Sequence, residues 1–384
     1  MRGLSVAAAV TAALTLALST VQSSPPATAG TAAEDPVPRL PPPTGRHAVG
    51  TTSLHLVDTS RPDPWEPSAP HRELMVSVFY PAARGHGPTR RFLTTTEAAA
   101  VLEEAGITEV TPEEIASTRT NAVVDARPVG RRHSRPLIVL SPGFKRPRAT
   151  LSTLAEDLAS HGNVVVVIDH TYENVATTFP DGRVTPCTAC GSYDPAFWHK
   201  LRTGRAADVS FVLDELTGPR PRWRGADLID ATRIAMGGHS VGGAATLVAL
   251  LTDERILAGF DADGTADVEL PDTGLTKPFL FIGRANTYTP GTGPESRSWE
   301  EVWPQLNGWR RWLVVDGMQH PSFTDIGLVG EQLGLDFGAD TPAVRGAAIF
   351  RAYARAFFDL HLRGTPQPLI TAPSPDYPEV TFVG

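Results

Sequence analysis

The sequence predicts an α/β fold: a mostly parallel central sheet with helices on both faces and a helical insertion. Three observations carry this. From Pro136 onward, continuous apolar runs of strand length (137–140, 164–169, 278–282, 311–315) alternate with helical patterns. Strands that are apolar at every position are buried on both faces, as in a parallel sheet covered by helices. Second, the apolar run 234–236 leads into Gly238-His239-Ser240-Val241-Gly242, followed by the small-residue helical stretch 244–251. This is a strand–turn–helix unit with a serine at the bend. Third, two alternating runs, 51–57 and 73–80, precede any clear helix and suggest an antiparallel edge to the sheet.

Residues 1–29 stand outside that fold. Met1-Arg2, the apolar run 4–21 and the small residues Ala27-Thr28-Ala29 have the order of a secretory signal peptide with its cleavage site, so a secreted protein is expected. The run is rich in Ala and broken by Thr and Ser, which argues against a retained anchor or stable membrane insertion. Residues 30–45 are Pro-rich and are expected to form a linker without fixed structure. Residues 46–384 then form one domain, with a helical insertion over about 92–122. Within the insertion, 98–105 and 112–117 read as acidic amphipathic helices, and Pro112 followed by glutamates marks a helix start. Further on, 149–160 is a helix with Leu151, Leu154 and Leu158 on one face, stopped by Gly162. A loop-rich stretch, 172–200, precedes the helix 205–216, and a short strand is expected at 256–260. A final helix, 343–362, closes the domain.

The formal charge of −8 and the lack of a basic stripe exclude nucleic acid as a partner. The only two cysteines, Cys187 and Cys190, lie three residues apart in a Pro/Gly-rich loop; in an exported chain a small-loop disulfide is expected. A zinc site would need two more ligands, and only His199 is near. No cofactor and no metal are expected, and a monomer is.

A serine hydroxyl becomes a nucleophile when a base takes its proton, and the base is normally a histidine oriented by a carboxylate. In the α/β-hydrolase fold the acid and then the histidine follow the serine, each after a later strand. After Ser240 only His320 and His361 remain. His361 falls in the closing helix, whereas His320 directly follows the last apolar run. Ser240 and His320 are therefore the expected nucleophile and base. The strand 278–282 is followed by no carboxylate, so the acid is sought one strand earlier, in Phe260-Asp261-Ala262-Asp263-Gly264. Asp261 is preferred because it comes immediately after the apolar run; Asp263 is the second candidate and Asp316 an outside one. An oxyanion hole needs backbone N–H groups. Val241 supplies one, and the loop Ser141-Pro142-Gly143-Phe144-Lys145 the other; Pro142 has no N–H, so the donor is Gly143, Phe144 or Lys145, and Phe144 is preferred.

The chain resembles the platelet-activating-factor acetylhydrolase type II family, the lipoprotein-associated phospholipase A2-like esterases, and especially its bacterial secreted members. Leu140-Ser-Pro-Gly-Phe144, Leu158-Ala-Ser-His-Gly162 with the strand up to Asp169-His170, Gly238-His-Ser-Val-Gly-Gly243 and Gly317-Met-Gln-His-Pro-Ser-Phe323 carry the resemblance, which spans roughly 50–360. It implies an α/β-hydrolase with Ser240, Asp261 and His320 as triad and Phe144 and Val241 as oxyanion donors. It also implies short acyl groups, such as a short sn-2 chain on a phospholipid. Pro142-Gly143 stands where the family usually has His-Gly, and no amphipathic lipoprotein-docking helix is identifiable. His170 is shared with the family yet precedes the serine, so a hydrogen-bonded structural role is expected for it. The insertion and the loop 172–200 are expected to wall the site and set acyl length. The rival functions are a triglyceride lipase or cutinase-like polyester hydrolase, an acyltransferase, and an inactive binding protein on the same fold.

Overall fold

The computed structural model describes residues 37–85 and 87–383. The chain opens with two long strands, β1 (Ala48–Asp58) and β2 (Arg72–Ala82), paired antiparallel. The insertion follows: α1 (Thr95–Ala105), α2 (Pro112–Ala116) and the short β3 (Val123–Val124). Each helix starts on a capping box, Thr94 with Glu97 and Thr111 with Glu114, and Pro112 occupies the first turn as the sequence suggests.

The α/β part then runs β4 (Arg135–Ser141), α3 (Ser152–Ser160), β5 (Val164–Asp169), the hairpin β6 (Ala176–Thr178) and β7 (Val184–Pro186), α4 (Pro195–Thr217), β8 (Ile229–His239), α5 (Val241–Thr252) and β9 (Ile256–Ala262). It continues through β10 (Phe279–Arg284), α6 (Ala285–Tyr288), α7 (Pro294–Val302), β11 (Arg310–Val315), α8 (Asp325–Gln332), α9 (Ala343–Arg363) and β12 (Val380–Phe382). Ten strands form one sheet in the order β12-β11-β10-β9-β8-β4-β5-β2-β1-β3. The six from β5 to β11 are mutually parallel, while β2 joins β5 antiparallel, so the antiparallel edge expected from 51–80 is present.

The uninterrupted apolar strands feed two cores at once, because successive side chains leave a strand on opposite faces. Val164, Val166 and Ile168 of β5 pack with Val209 and Leu213 of α4 and Leu247 of α5; Val165 and Val167 pack with Leu154 and Leu158 of α3 and Phe357 of α9. The insertion builds a third, smaller core from Phe92, Leu93, Val101, Leu102 and Ile115.

Three departures from the sequence reading concern boundaries. Residues 37–45 are not a free linker: Leu40 N–H donates to Arg119 O and Arg119 N–H to Pro38 O, Thr44 N–H reaches Asp157 Oδ1 at 2.8 Å, and Leu40 is buried in the insertion core. Prolines lower the entropy lost on fixing this extended segment, and Leu40 anchors it. Helix α4 begins ten residues before the expected start. Asp194 caps it by accepting Phe197 N–H at 2.7 Å, and Pro195 opens its first turn. The stretch 172–200 contains the β6–β7 hairpin and a Cys187–Cys190 disulfide, as expected for the two cysteines. None of the helices of the described residues is long and apolar enough to cross a membrane.

Candidate active site

Strand β8 delivers Ser240 at the carboxyl edge of the sheet, directly before α5. Its backbone sits at φ 56°, ψ −129°, a strained conformation for a residue with a Cβ, and its N–H is held by Ala262 O at 2.8 Å. The bend leaves no room for neighbouring side chains. A Cβ on Gly238 would lie 2.2 Å from Gly242 C, and one on Gly242 would lie 2.0 Å from Ser141 O. The two motif glycines are thus steric requirements of the turn. The Val241 N–H, at the amino end of α5, has no acceptor among the described residues.

The residue just past β11 and its turn, His320, is half-buried, and its Nδ1 lies 2.5 Å from Asp263 Oδ2. The carboxylate beside His320 is therefore Asp263, and the preference for Asp261 is corrected. The physical reason is the length of β9. The strand does not stop at Phe260; its ladder continues through Asp261 opposite Phe281 and Ala262 opposite Ile282, so Asp261 is still a strand residue. Its side chain points under the elbow, where Cβ atoms on Gly243 and Gly264 would lie 1.9 and 2.4 Å from Asp261 Oδ1. Asp263 is the first residue beyond the strand. It turns at φ 57° and accepts Arg284 N–H on Oδ1 at 2.9 Å, with the Arg284 guanidinium 3.3 Å from Oδ2.

Burial, and then the neighbouring Asp263, push the Asp261 carboxyl well above the usual carboxylate range. His239, fully buried, is held well below the usual imidazole range by desolvation and by His320. It stacks on His320 with ring centroids 4.3 Å apart, and its Nε2 meets His320 O at 3.0 Å. A neutral His239 donates there and fixes the loop that carries His320. His239, Asp263 and His320 offer ligand atoms within 4.8 Å of one another, but His320 Nδ1 and Asp263 Oδ2 face each other and His239 Nε2 is spent on the His320 carbonyl.

Across from His320, β4 ends in the loop Ser141–Lys145. A Cβ on Gly143 would lie 3.4 Å from Ser240 Cβ, so this loop passes directly over the serine. The Phe144 N–H next along has no acceptor among the described residues. The Phe144 ring joins Tyr193, Phe197 and Trp198 in an aromatic rim with centroid spacings of 5.0 to 5.7 Å. On the other side a cavity of about 130 Å³ opens beside His239 and His320, lined by Leu93, Leu102, Ile115, Val329, Leu335 and Phe337 among others. The insertion supplies one part of that wall. Glu104 of α1 also grips the loop through Lys145 at 3.1 Å and Arg146 at 2.9 Å. Helix α8 and the segment after it supply another part, a contribution that sequence reasoning missed. Asp325 opening the helix after Thr324 was the signal for it. His170 and His361 both lie outside the site: the former is buried in a polar network, and the latter packs between Trp309 and Phe357.

A serine elbow between β8 and α5, with a histidine and an acid presented by later strands of a mostly parallel sheet, defines an α/β-hydrolase. Residues 34–189 match the family model described as platelet-activating factor acetylhydrolase, isoform II. A probable 1-alkyl-2-acetylglycerophosphocholine esterase of Arthroderma benhamiae is 29% identical over 379 residues, covering 90% of this chain and 93% of that one. A solved ferulic acid esterase from Streptomyces cinnamoneus superposes with a TM-score of 0.81 at 40% identity, covering 91% of this chain and all of that one. Cutinase est2 of Thermobifida alba is 32% identical over 49% of this chain and 54% of its own. The chain is a carboxylic ester hydrolase, and over residues 34–189 it is similar to the platelet-activating factor acetylhydrolase, isoform II family.

Proposed function

We propose that this chain is an exported serine esterase that cleaves short-acyl esters, short sn-2 chain phospholipids included, with Ser240, His320 and Asp263 as its triad. Ser240 Oγ attacks the ester carbonyl while His320 Nε2 takes its proton. Asp263, bonded to the opposite ring nitrogen, holds the tautomer and offsets the imidazolium charge. The carbonyl oxygen, negative in the tetrahedral intermediate, rests on the N–H groups of Phe144 and Val241. His320 then gives the proton to the leaving alcohol, and water repeats the sequence to release the acid. The observation that carries this reading is the 2.5 Å contact between His320 Nδ1 and Asp263, just past the strand beside a strained Ser240 whose Oγ has no hydrogen-bond partner among the described residues. In apo enzymes the serine–histidine contact often tightens only with substrate bound.

Acyl length is read from the cavity beside His320. About 130 Å³ of apolar space accommodates a chain of a few carbons and excludes a palmitoyl group. Export is supported by the signal-like order of residues 1–29 and by a disulfide, which persists in oxidising compartments. A second reading, an ester with an aromatic acyl or alcohol part, is favoured by the rim of Phe144, Tyr193, Phe197 and Trp198; rings stack on rings at these spacings. The solved relative named a ferulic acid esterase agrees with it.

The test is kcat/KM on p-nitrophenyl esters from acetate to palmitate and on methyl ferulate, with Ser240→Ala in parallel. Activity confined to short chains and abolished by the substitution supports the first reading. A ferulate rate above that of the acetate ester selects the second, and a rate rising toward palmitate contradicts both.

A further inference from the structure

A second Ser–His–Asp relay lies beneath the first. Ser141 Oγ is 2.9 Å from His170 Nε2, and His170 Nδ1 is 2.7 Å from Asp208 Oδ2. The order of atoms copies a catalytic triad, but Ser141 and Asp208 are wholly buried and His170 is 1% exposed, so no ester reaches them. The relay has a different neighbour. Arg205, itself buried, donates from Nη1 to Ser141 Oγ at 3.1 Å and to the Pro142 carbonyl, and from Nε to Glu173 Oε2 at 2.7 Å. The backbone of Glu173 in turn accepts the Lys145 N–H at 2.9 Å. Phe144 is therefore bracketed: the residues before it hang on Arg205 and the residue after it on Glu173. Arg72 completes the cluster, reaching Asp208 at 2.7 Å and Asp63 at 2.9 Å.

Burying this many charges is costly even when all are paired, and an apolar replacement of the same volume is often as stable or more so. A fully paired network is, however, stiff and directional, which suits a loop whose amide must point at one spot. The tie at Lys145 holds that residue at φ 67°, a left-handed backbone uncommon for lysine, directly after the Phe144 amide.

We propose that Arg205, held by Glu173 and by the Ser141–His170–Asp208 relay, is a positioning residue that aims the Phe144 N–H at the developing oxyanion. The inference rests on the esterase mechanism proposed above. It predicts that loosening the relay lowers turnover per intact site and leaves ground-state binding nearly unchanged, since a donor aimed at the oxyanion acts in the transition state.

The experiment measures kcat and KM on p-nitrophenyl acetate for wild type, Arg205→Lys, Arg205→Met and Ser141→Ala. Each preparation is titrated to completion with a p-nitrophenyl phosphonate, so that kcat is expressed per competent serine. Val212→Ala, a cavity variant on the apolar face of the same helix, serves as a stability control. The expected result is a kcat per titrated site roughly 10²-fold lower at nearly constant KM in Arg205→Met, as for a lost oxyanion donor. Smaller losses are expected in Arg205→Lys and Ser141→Ala, and native turnover per site in Val212→Ala. Native turnover per titrated site in the relay variants, with only a lower Tm or fewer titrated sites, overturns the inference. If Arg205→Met does not fold, Ser141→Ala decides, because it removes one hydroxyl and no charge. A wild type that hydrolyses esters yet takes up no phosphonate refutes the underlying mechanism instead.

Discussion

Replacing Asp263 by Asn removes a charge and changes little else. Oδ1 of Asp263 accepts the Arg284 N–H at 2.9 Å, a bond the Asn carbonyl keeps, so the new amide NH₂ faces His320 Nδ1 at the position of the present 2.5 Å contact. That amide can only donate. It stabilises the tautomer with the proton on Nε2, which cannot accept the proton of Ser240. In a serine hydrolase this loss of tautomer control costs about 10⁴ in kcat, or about 5.5 kcal/mol. Asp261→Asn is the matched control: Asp261 is buried two residues away, burial pushes its carboxyl up, and an amide matches that carboxyl in shape. Its kcat should stay within about threefold of wild type, a difference of roughly 0.7 kcal/mol. The assay is steady-state hydrolysis of p-nitrophenyl acetate at pH 8, with each preparation corrected by active-site titration. A loss of 10³ or more in Asp261→Asn, with Asp263→Asn nearly intact, would refute the reasoning from strand length to acid.

Leu102→Ala enlarges the cavity beside His320 and should shift the preferred acyl chain longer by one or two carbons. Each added methylene that fits contributes about 0.8 kcal/mol, roughly fourfold in kcat/KM; an unchanged chain-length profile would show that acyl groups bind elsewhere. Asp325, fully buried and accepting Thr153 N–H at 3.0 Å, is pushed up to about 7 by burial. The folded state then binds more protons than the unfolded one between about pH 4 and pH 7, so stability falls as pH rises through that window, by up to about 4 kcal/mol. Asp325→Asn keeps the acceptor and loses the penalty: its Tm should exceed that of wild type at pH 8 and match it near pH 4. A lower Tm at pH 8 would mean that the ionised carboxylate is stabilised.

The fold was legible because its strands are buried on both faces and so read as unbroken apolar runs, as in 164–168. The serine elbow was legible because Gly238 and Gly242 flank Ser240 for steric reasons that survive in the bare sequence. His320 followed from the rule that the base comes after the last parallel strand. The carboxylate beside His320 lies two residues beyond the preferred one: β9 continues through Asp261-Ala262, where polarity hides a ladder that only the pairing with β10 reveals. A strand end is set by its neighbours, and sequence alone places it least well. The docked segment 37–45 and the early start of α4 were missed for related reasons. Proline-rich composition hid a packed Leu40, and the Asp194-Pro195 helix start was overlooked. The buried relay left no local signature, since Ser141, His170, Glu173, Arg205 and Asp208 come from three separate segments.

The central claim is that Ser240 is acylated and that His320 and Asp263 activate it. The most direct measurement is mass-spectrometric mapping of a fluorophosphonate label on the wild type and on the Ser240→Ala, His320→Ala and Asp263→Asn variants. A single adduct on Ser240 is expected in the wild type, none in Ser240→Ala, and labelling slowed by orders of magnitude in the other two. An adduct on another residue, or labelling of Ser240 at the wild-type rate without His320, would contradict it.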